Sequence, residues 1–225
     1  MAIDPTQPEP AVWPEDPPAW PHMARTLALE AKRTDPRIVF LGDSITQGWG
    51  SEGRAEWDAR FAPLGAANLG IGGDRTQNIL WRIAHGALAG LHPELVVLKI
   101  GVNNLWAEVQ ECGPDRVADG VAACVAAIQT RCPNAKVLAL GILPTQAAPD
   151  HPLRGIVHAV NARSAALVPT PDGRVRFADI GAAFLEPDGR ISAGIMPDGC
   201  HLSPRGYTLF ADALEPMLQE MLNTH

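Results

Sequence analysis

A chain of 225 residues suits one domain with a proper buried core. With 46% hydrophobic and 19% charged residues it is neither a fibre nor a disordered chain. The net charge of -7, with no run of Lys or Arg, weighs against a nucleic-acid binder, and no apolar stretch approaches the roughly 18 residues of a membrane span.

The chain opens with MAIDPTQPEP, which lacks the basic start and apolar core of a secretory signal, so a cytoplasmic location is expected. Residues 1–21 hold seven prolines and two tryptophans. Proline fixes φ and removes backbone donors, so this stretch is expected to be an extended arm, with Trp13 and Trp20 packed on the domain or with the whole arm serving as a lid or dimer contact. Residues 22–225 are expected to form a single domain.

Met23–Lys32 has helical character. Short β-rich or near-continuous apolar runs follow at Arg37–Leu41, Ala66–Leu69, Glu94–Ile100, Lys136–Leu140 and Val175–Ala178, the kind expected of strands covered on both faces. Between them, Thr76–His85, Pro114–Arg131, Leu153–Val168 and Pro204–Leu222 carry apolar residues at helical spacing. Pro114 and Pro204 suit helix starts, and Ser203 suits an N-cap. The alternation predicts an α/β fold: a mostly parallel five-stranded sheet with helices on both faces. In such folds ligands bind outside the carboxyl ends of the strands.

Four segments, three at those ends and one in the loop leading to the last helix, could carry chemistry. Gly42-Asp43-Ser44-Ile45-Thr46 is either a tight turn exposing a nucleophilic serine or a helix cap. Gly70-Ile71-Gly72-Gly73-Asp74 lets backbone N–H groups approach a ligand, or is a plain turn. It does not complete a dinucleotide fingerprint, because Arg75 stands where the last glycine would be, and no GK[ST] follows; this weighs against a nucleotide-binding oxidoreductase. Gly101-Val102-Asn103-Asn104 could offer an asparagine amide to a developing oxyanion, or simply turn the chain. In Asp198-Gly199-Cys200-His201 the carboxylate sits three residues before the imidazole, so Asp198 could orient His201 while the other ring nitrogen faces Ser44; taken alone, a surface loop with an Asp cap and an incidental histidine is the favoured reading. Together they supply a nucleophile, oxyanion donors and a base with its orienter, the parts of an acyl-transfer site.

The stretches VFLGDSITQGW, NLGIGGDRTQNILWRI, GVNN and DGCHLSPRGY, in that order, resemble the four signature blocks of the SGNH (GDSL-type) hydrolases. They are most similar to the branch that includes platelet-activating-factor acetylhydrolase catalytic subunits and bacterial esterase relatives. The resemblance implies a flavodoxin-like three-layer sandwich, Ser44 as nucleophile, Asp198 and His201 completing the triad, and an oxyanion hole from the Ser44 and Gly73 N–H groups and the Asn103 side chain. It also implies a preference for short acyl chains, notably acetyl. Many members carry Asp where this chain has Asn104.

The expectation is therefore a serine esterase working through an acyl-enzyme, with a carbohydrate acetyl ester as the favoured substrate. A thioesterase, a lysophospholipase or a non-catalytic binding module of the same fold are the alternatives. Trp49, Leu105, Trp106, Ile195 and Met196 flank the blocks and are candidates to wall the acyl or alcohol pocket, each equally well read as core or rim packing. Cys200 beside His201 raises a thiol nucleophile, but adjacent loop residues rarely point at each other and Cys200 follows no strand, so a packed small residue is the preferred reading. No cofactor or metal is expected: there is no HExxH and no Cys/His spacing suited to zinc. The four cysteines form no CxxC pair and are expected as free thiols. The partner is a small-molecule ester, with no nucleic acid, and the chain is a monomer or homo-oligomer.

Overall fold

The computed structural model describes residues 4–106 and 108–223, without the side chains of residues 108–112. Five strands, β1 (Ile38–Gly42), β2 (Ala66–Gly70), β3 (Leu95–Lys99), β4 (Lys136–Leu140) and β5 (Val175–Ala178), form one parallel sheet in the order β2-β1-β3-β4-β5. This is the flavodoxin-like order. The chain winds one way from β1 to β2 and the other way from β3 onward, so a crevice opens at the carboxyl ends of β1 and β3.

Side chains alternate between the two faces of each strand. Val39, Leu41, Val96, Leu98 and Val137 face a core shared with helices α1 (Ala19–Thr34), α4 (Thr76–Ala84) and α5 (Glu108–Arg131). Ile38, Phe40, Leu95, Val97 and Leu138 face the opposite core. That side is closed by α7 (Pro204–Asn223) and by the segment holding α2 (Ser44–Gln47), the short α3 (Arg54–Glu56) and a π turn at Trp57–Phe61. Helix α6 (Pro152–Leu167) packs Val157 and Val160 against Val102, Leu105 and Val117, beside the carboxyl ends of the strands. Among the described residues no helix is long and apolar enough to cross a membrane.

One expected boundary moves. Helix α1 begins at Ala19, not Met23, so a division after residue 21 falls inside it. Pro21 lies in the first turn, where its missing N–H has no intrahelical acceptor to lose. The α5 segment begins before Pro114, but Gly113 breaks it at φ 75° and ψ 168°, and the regular part runs from Pro114 as expected. At α7 the Ser203 hydroxyl accepts the Gly206 N–H at 3.1 Å.

The N-terminal stretch lies along α4 and α5. The Thr76 hydroxyl donates to the Pro5 carbonyl and the Asn78 amide to the Glu9 carbonyl, while Glu9 N–H donates to the Gln77 carbonyl. Trp20 is fully buried and packs its ring 5.3 Å from Trp81. Cys124, Cys132 and Cys200 are free thiols; the Cys112 side chain lies outside the described residues.

Candidate active site

Strand β1 ends at Gly42, and the chain turns at once into α2 with Ser44 as its first residue. Asp43 caps the turn by accepting the Ile45 N–H at 3.0 Å. The turn is pressed onto the strand ends: a Cβ on Gly70 would lie 2.1 Å from the Gln47 nitrogen, and one on Gly42 would lie 2.2 Å from the Lys99 carbonyl oxygen. Only glycine lets the Ser44 turn sit that close to its neighbours.

Ser44 Oγ lies 2.9 Å from His201 Nε2, and His201 Nδ1 lies 2.6 Å from Asp198 Oδ2. With Nδ1 protonated toward the carboxylate, Nε2 is the acceptor for the serine proton. Asp198 Oδ1 also accepts the backbone N–H groups of Cys200 and His201 at 2.9 and 2.7 Å. Burial pushes the Asp198 carboxyl up, but these bonds and the imidazole outweigh it and hold the group at about 2. The Asp198 and His201 side chains are 56% and 54% exposed, so the site is open on this side.

The loop after β4 grips the triad loop from beneath. The Gly199 carbonyl accepts the Gln146 N–H at 2.6 Å and the buried Thr145 hydroxyl at 2.9 Å. Gln146 holds a left-handed φ of 70°, unusual for a residue with a side chain, and its own carbonyl accepts from Arg154 Nη1.

The glycine loop after β2 comes up beside Ser44. Gly72 N–H donates to Gln47 Oε1 at 2.9 Å, and a Cβ on Gly72 would lie 3.8 Å from Ser44 Cβ. Gly73 has φ 80° and open space where a side chain would point. Asn103 Nδ2 donates to the Asp74 carbonyl at 2.9 Å, which ties the loops after β2 and β3 together. Asn104 is spent on structure: fully buried, it accepts the Thr76 N–H and donates to Gln77 Oε1 at 3.0 Å, capping α4.

Two buried ion pairs lie under the site, and neither was read from the sequence. Lys99 Nζ sits 3.1 Å from Asp43 Oδ2, with both side chains nearly inaccessible. Arg82 Nη1 meets Asp74 Oδ2 at 2.7 Å, fully buried, and the Trp20 indole donates to Asp74 Oδ1 at 2.7 Å. Burial pushes the Asp74 carboxyl up to about 6, against the pull of the Arg82 guanidinium and the indole. One signal was present: Lys99 is a charge inside an otherwise apolar strand, which calls for a buried partner.

Of the five residues considered for pocket walls, only Trp106 is exposed, at 46%. Trp49 is 1% exposed and sits among Phe40, Trp57, Phe61, Tyr207 and Phe210, so it is core beneath the nucleophile turn. Leu105, Ile195 and Met196 are likewise buried. These four close the core at the end of the sheet, a demand the sequence pattern does not separate from lining a pocket. Cys200 packs as a small residue against the α6 cluster, as expected, and burial pushes its thiol up, away from thiolate.

The model of the GDSL-like lipase/acylhydrolase family matches residues 40–209. The chain belongs to that family. It is 37% identical over 205 residues to human platelet-activating factor acetylhydrolase IB subunit alpha1, covering 90% of this chain and 84% of the relative. Among solved structures, a GDSL-like lipase from Bacteroides thetaiotaomicron superposes with a TM-score of 0.70 at 20% identity, over 89% of this chain and 97% of that one. A catalytic mutant of an acetylxylan esterase from Geobacillus stearothermophilus gives 0.62 at 18% identity, over 84% and 95%. The two structures speak for the fold. The GDSL family member described here is a hydrolase of ester bonds.

Proposed function

We propose that the protein is a serine esterase for short acyl groups, acetyl above all, acting through Ser44, His201 and Asp198. The observation that carries this is the unbroken chain from Ser44 Oγ to His201 Nε2 at 2.9 Å and from His201 Nδ1 to Asp198 Oδ2 at 2.6 Å.

A serine hydroxyl attacks an ester only when a base removes its proton. His201 Nε2 takes that proton as the Ser44 Oγ–carbon bond forms, and Asp198 stabilises the imidazolium. The carbonyl oxygen becomes an oxyanion held by the Ser44 N–H, the Gly73 N–H and the second N–H of the Asn103 amide, whose first is spent on Asp74. Collapse breaks the bond to the alcohol oxygen, which takes the proton back from His201 and leaves. Water then attacks the acyl-serine with His201 again as base. The carbon–Oγ bond breaks, Ser44 regains its proton, and the carboxylic acid departs.

Two features favour an acetylated carbohydrate as the alcohol side. His201 and Asp198 are more than half exposed, which leaves room for a bulky polar leaving group. Trp106, on the turn that carries Asn103, offers an exposed indole face to a sugar ring. The fold likeness to an acetylxylan esterase agrees with this without deciding it.

The test is hydrolysis of p-nitrophenyl acetate against longer acyl esters, with chelator present, by the natural protein and by Ser44→Ala. Acetate cleavage that is lost in the variant and declines with chain length is expected. Activity surviving in Ser44→Ala would remove Ser44 as nucleophile.

A further inference from the structure

Asp74 is fastened at several atoms beside the oxyanion loop. Its backbone carbonyl accepts from Asn103 Nδ2, and its N–H donates to the Ile71 carbonyl at 3.2 Å. Its Oδ2 accepts from Arg82 Nη1, while Arg82 Nη2 is engaged by the Leu69 carbonyl. The guanidinium therefore does not present its end-on fork to both carboxylate oxygens. Oδ1 instead receives the indole N–H of Trp20 at 2.7 Å, from a helix that precedes β1 and lies outside the stretch that matches the family model.

We propose that Trp20 is a positioning residue for ester hydrolysis, holding Asp74 and hence the Gly73 and Asn103 oxyanion donors in place through its indole hydrogen bond. Packing alone would be served by any large apolar ring at this fully buried position, beside Ile71 and Trp81. A buried carboxylate oxygen needs a donor, and losing it is costly. Without the indole N–H, the carboxylate turns toward the guanidinium, and the 73–74 backbone and the carbonyl that holds Asn103 turn with it. The oxyanion forms only in the transition state, so the loss falls on kcat and spares KM. The inference rests on the serine-esterase reading above.

Two variants separate the hydrogen bond from the packing. Trp20→Phe keeps an apolar ring and loses the donor. Trp20→His loses the second ring, but its Nε2–H stands as many bonds from Cβ as the indole N–H. With p-nitrophenyl acetate at pH 8, Trp20→Phe is expected to lose about tenfold in kcat at unchanged KM, short of the roughly 10²–10³ of deleting an oxyanion donor. Trp20→His should recover most of that kcat while melting lower than Trp20→Phe. If kcat instead follows melting temperature, or Trp20→Phe keeps full kcat, the proposal is overturned. Ser44→Ala runs alongside: activity there would sink the parent reading, whereas an inactive Ser44→Ala with a fully active Trp20→Phe would sink only this one. Should a variant not fold, ¹⁵N-labelled natural protein serves. Phosphorylating Ser44 with an organophosphate should shift the Trp20 indole N–H resonance, and an unmoved resonance overturns the proposal.

Discussion

The Tyr207 hydroxyl donates to the Ile45 carbonyl at 2.8 Å, in the interior, and so ties α7 to the turn that carries Ser44. The same end of α7 follows directly on the His201 loop, so one helix start fixes the approach of His201 to Ser44. Gly48 makes room for it: a Cβ there would lie 1.9 Å from the phenol oxygen. Tyr207→Phe keeps the ring against Trp49 and leaves a carbonyl unpaired. It should cost about 1 kcal/mol in urea unfolding and lower kcat more than it changes KM.

The pair beneath the nucleophile should behave as a buried charge pair does. Lys99→Met leaves Asp43 as a lone carboxylate in the interior and should cost about 3–5 kcal/mol. The double variant Asp43→Asn/Lys99→Met removes both charges and should recover much of that loss. If the two single variants and the double variant are equally unstable by denaturant titration, the pair is not what holds this turn.

Asp198 ties stability to acid. Its folded-state carboxyl stands at about 2, below the ordinary 3.8, so its contribution is full above pH 3.8 and is lost as pH falls toward 2. The stability difference between the natural protein and Asp198→Asn should therefore shrink across that window. Its size is small, because the side chain is more than half exposed. At neutral pH the same variant should lose kcat by roughly 10⁴, the cost of a misoriented imidazole in the chymotrypsin triad.

Trp106 is exposed, so Trp106→Ala should change stability by no more than about 0.5 kcal/mol. Its effect belongs to the substrate. KM for an acetylated oligosaccharide should rise while that for p-nitrophenyl acetate moves little. Equal changes for both substrates would show that the indole does not touch the sugar.

The sheet was legible because its strands are short apolar runs, and β4 and β5 fall on the expected residues. The proposed Ser44, His201 and Asp198 site was legible as a candidate because Asp198 and His201 lie on one loop and Ser44 follows directly on β1. What escaped was held across the chain. The Trp20–Asp74 bond spans 54 positions and the Lys99–Asp43 bond 56, and no local pattern announces such partners. The start of α1 escaped because prolines crowd it, although the first turn of a helix is where proline costs least. Trp49 stood open between pocket wall and core because an apolar residue next to a site motif can close the core as readily as line a pocket; its burial places it in the core.

In the parallel register Gly42 stands level with Gly70 and Lys99, and Lys99 with Leu140. The sheet thus works as a ruler for the chemistry above it. One extra residue in a single strand would lift its loop by about 3.3 Å and turn the side chains beyond it to the opposite face. A change in chain length within a strand would therefore disturb the level of Ser44 above β1, whereas one in a connection remote from the carboxyl ends would leave it in place.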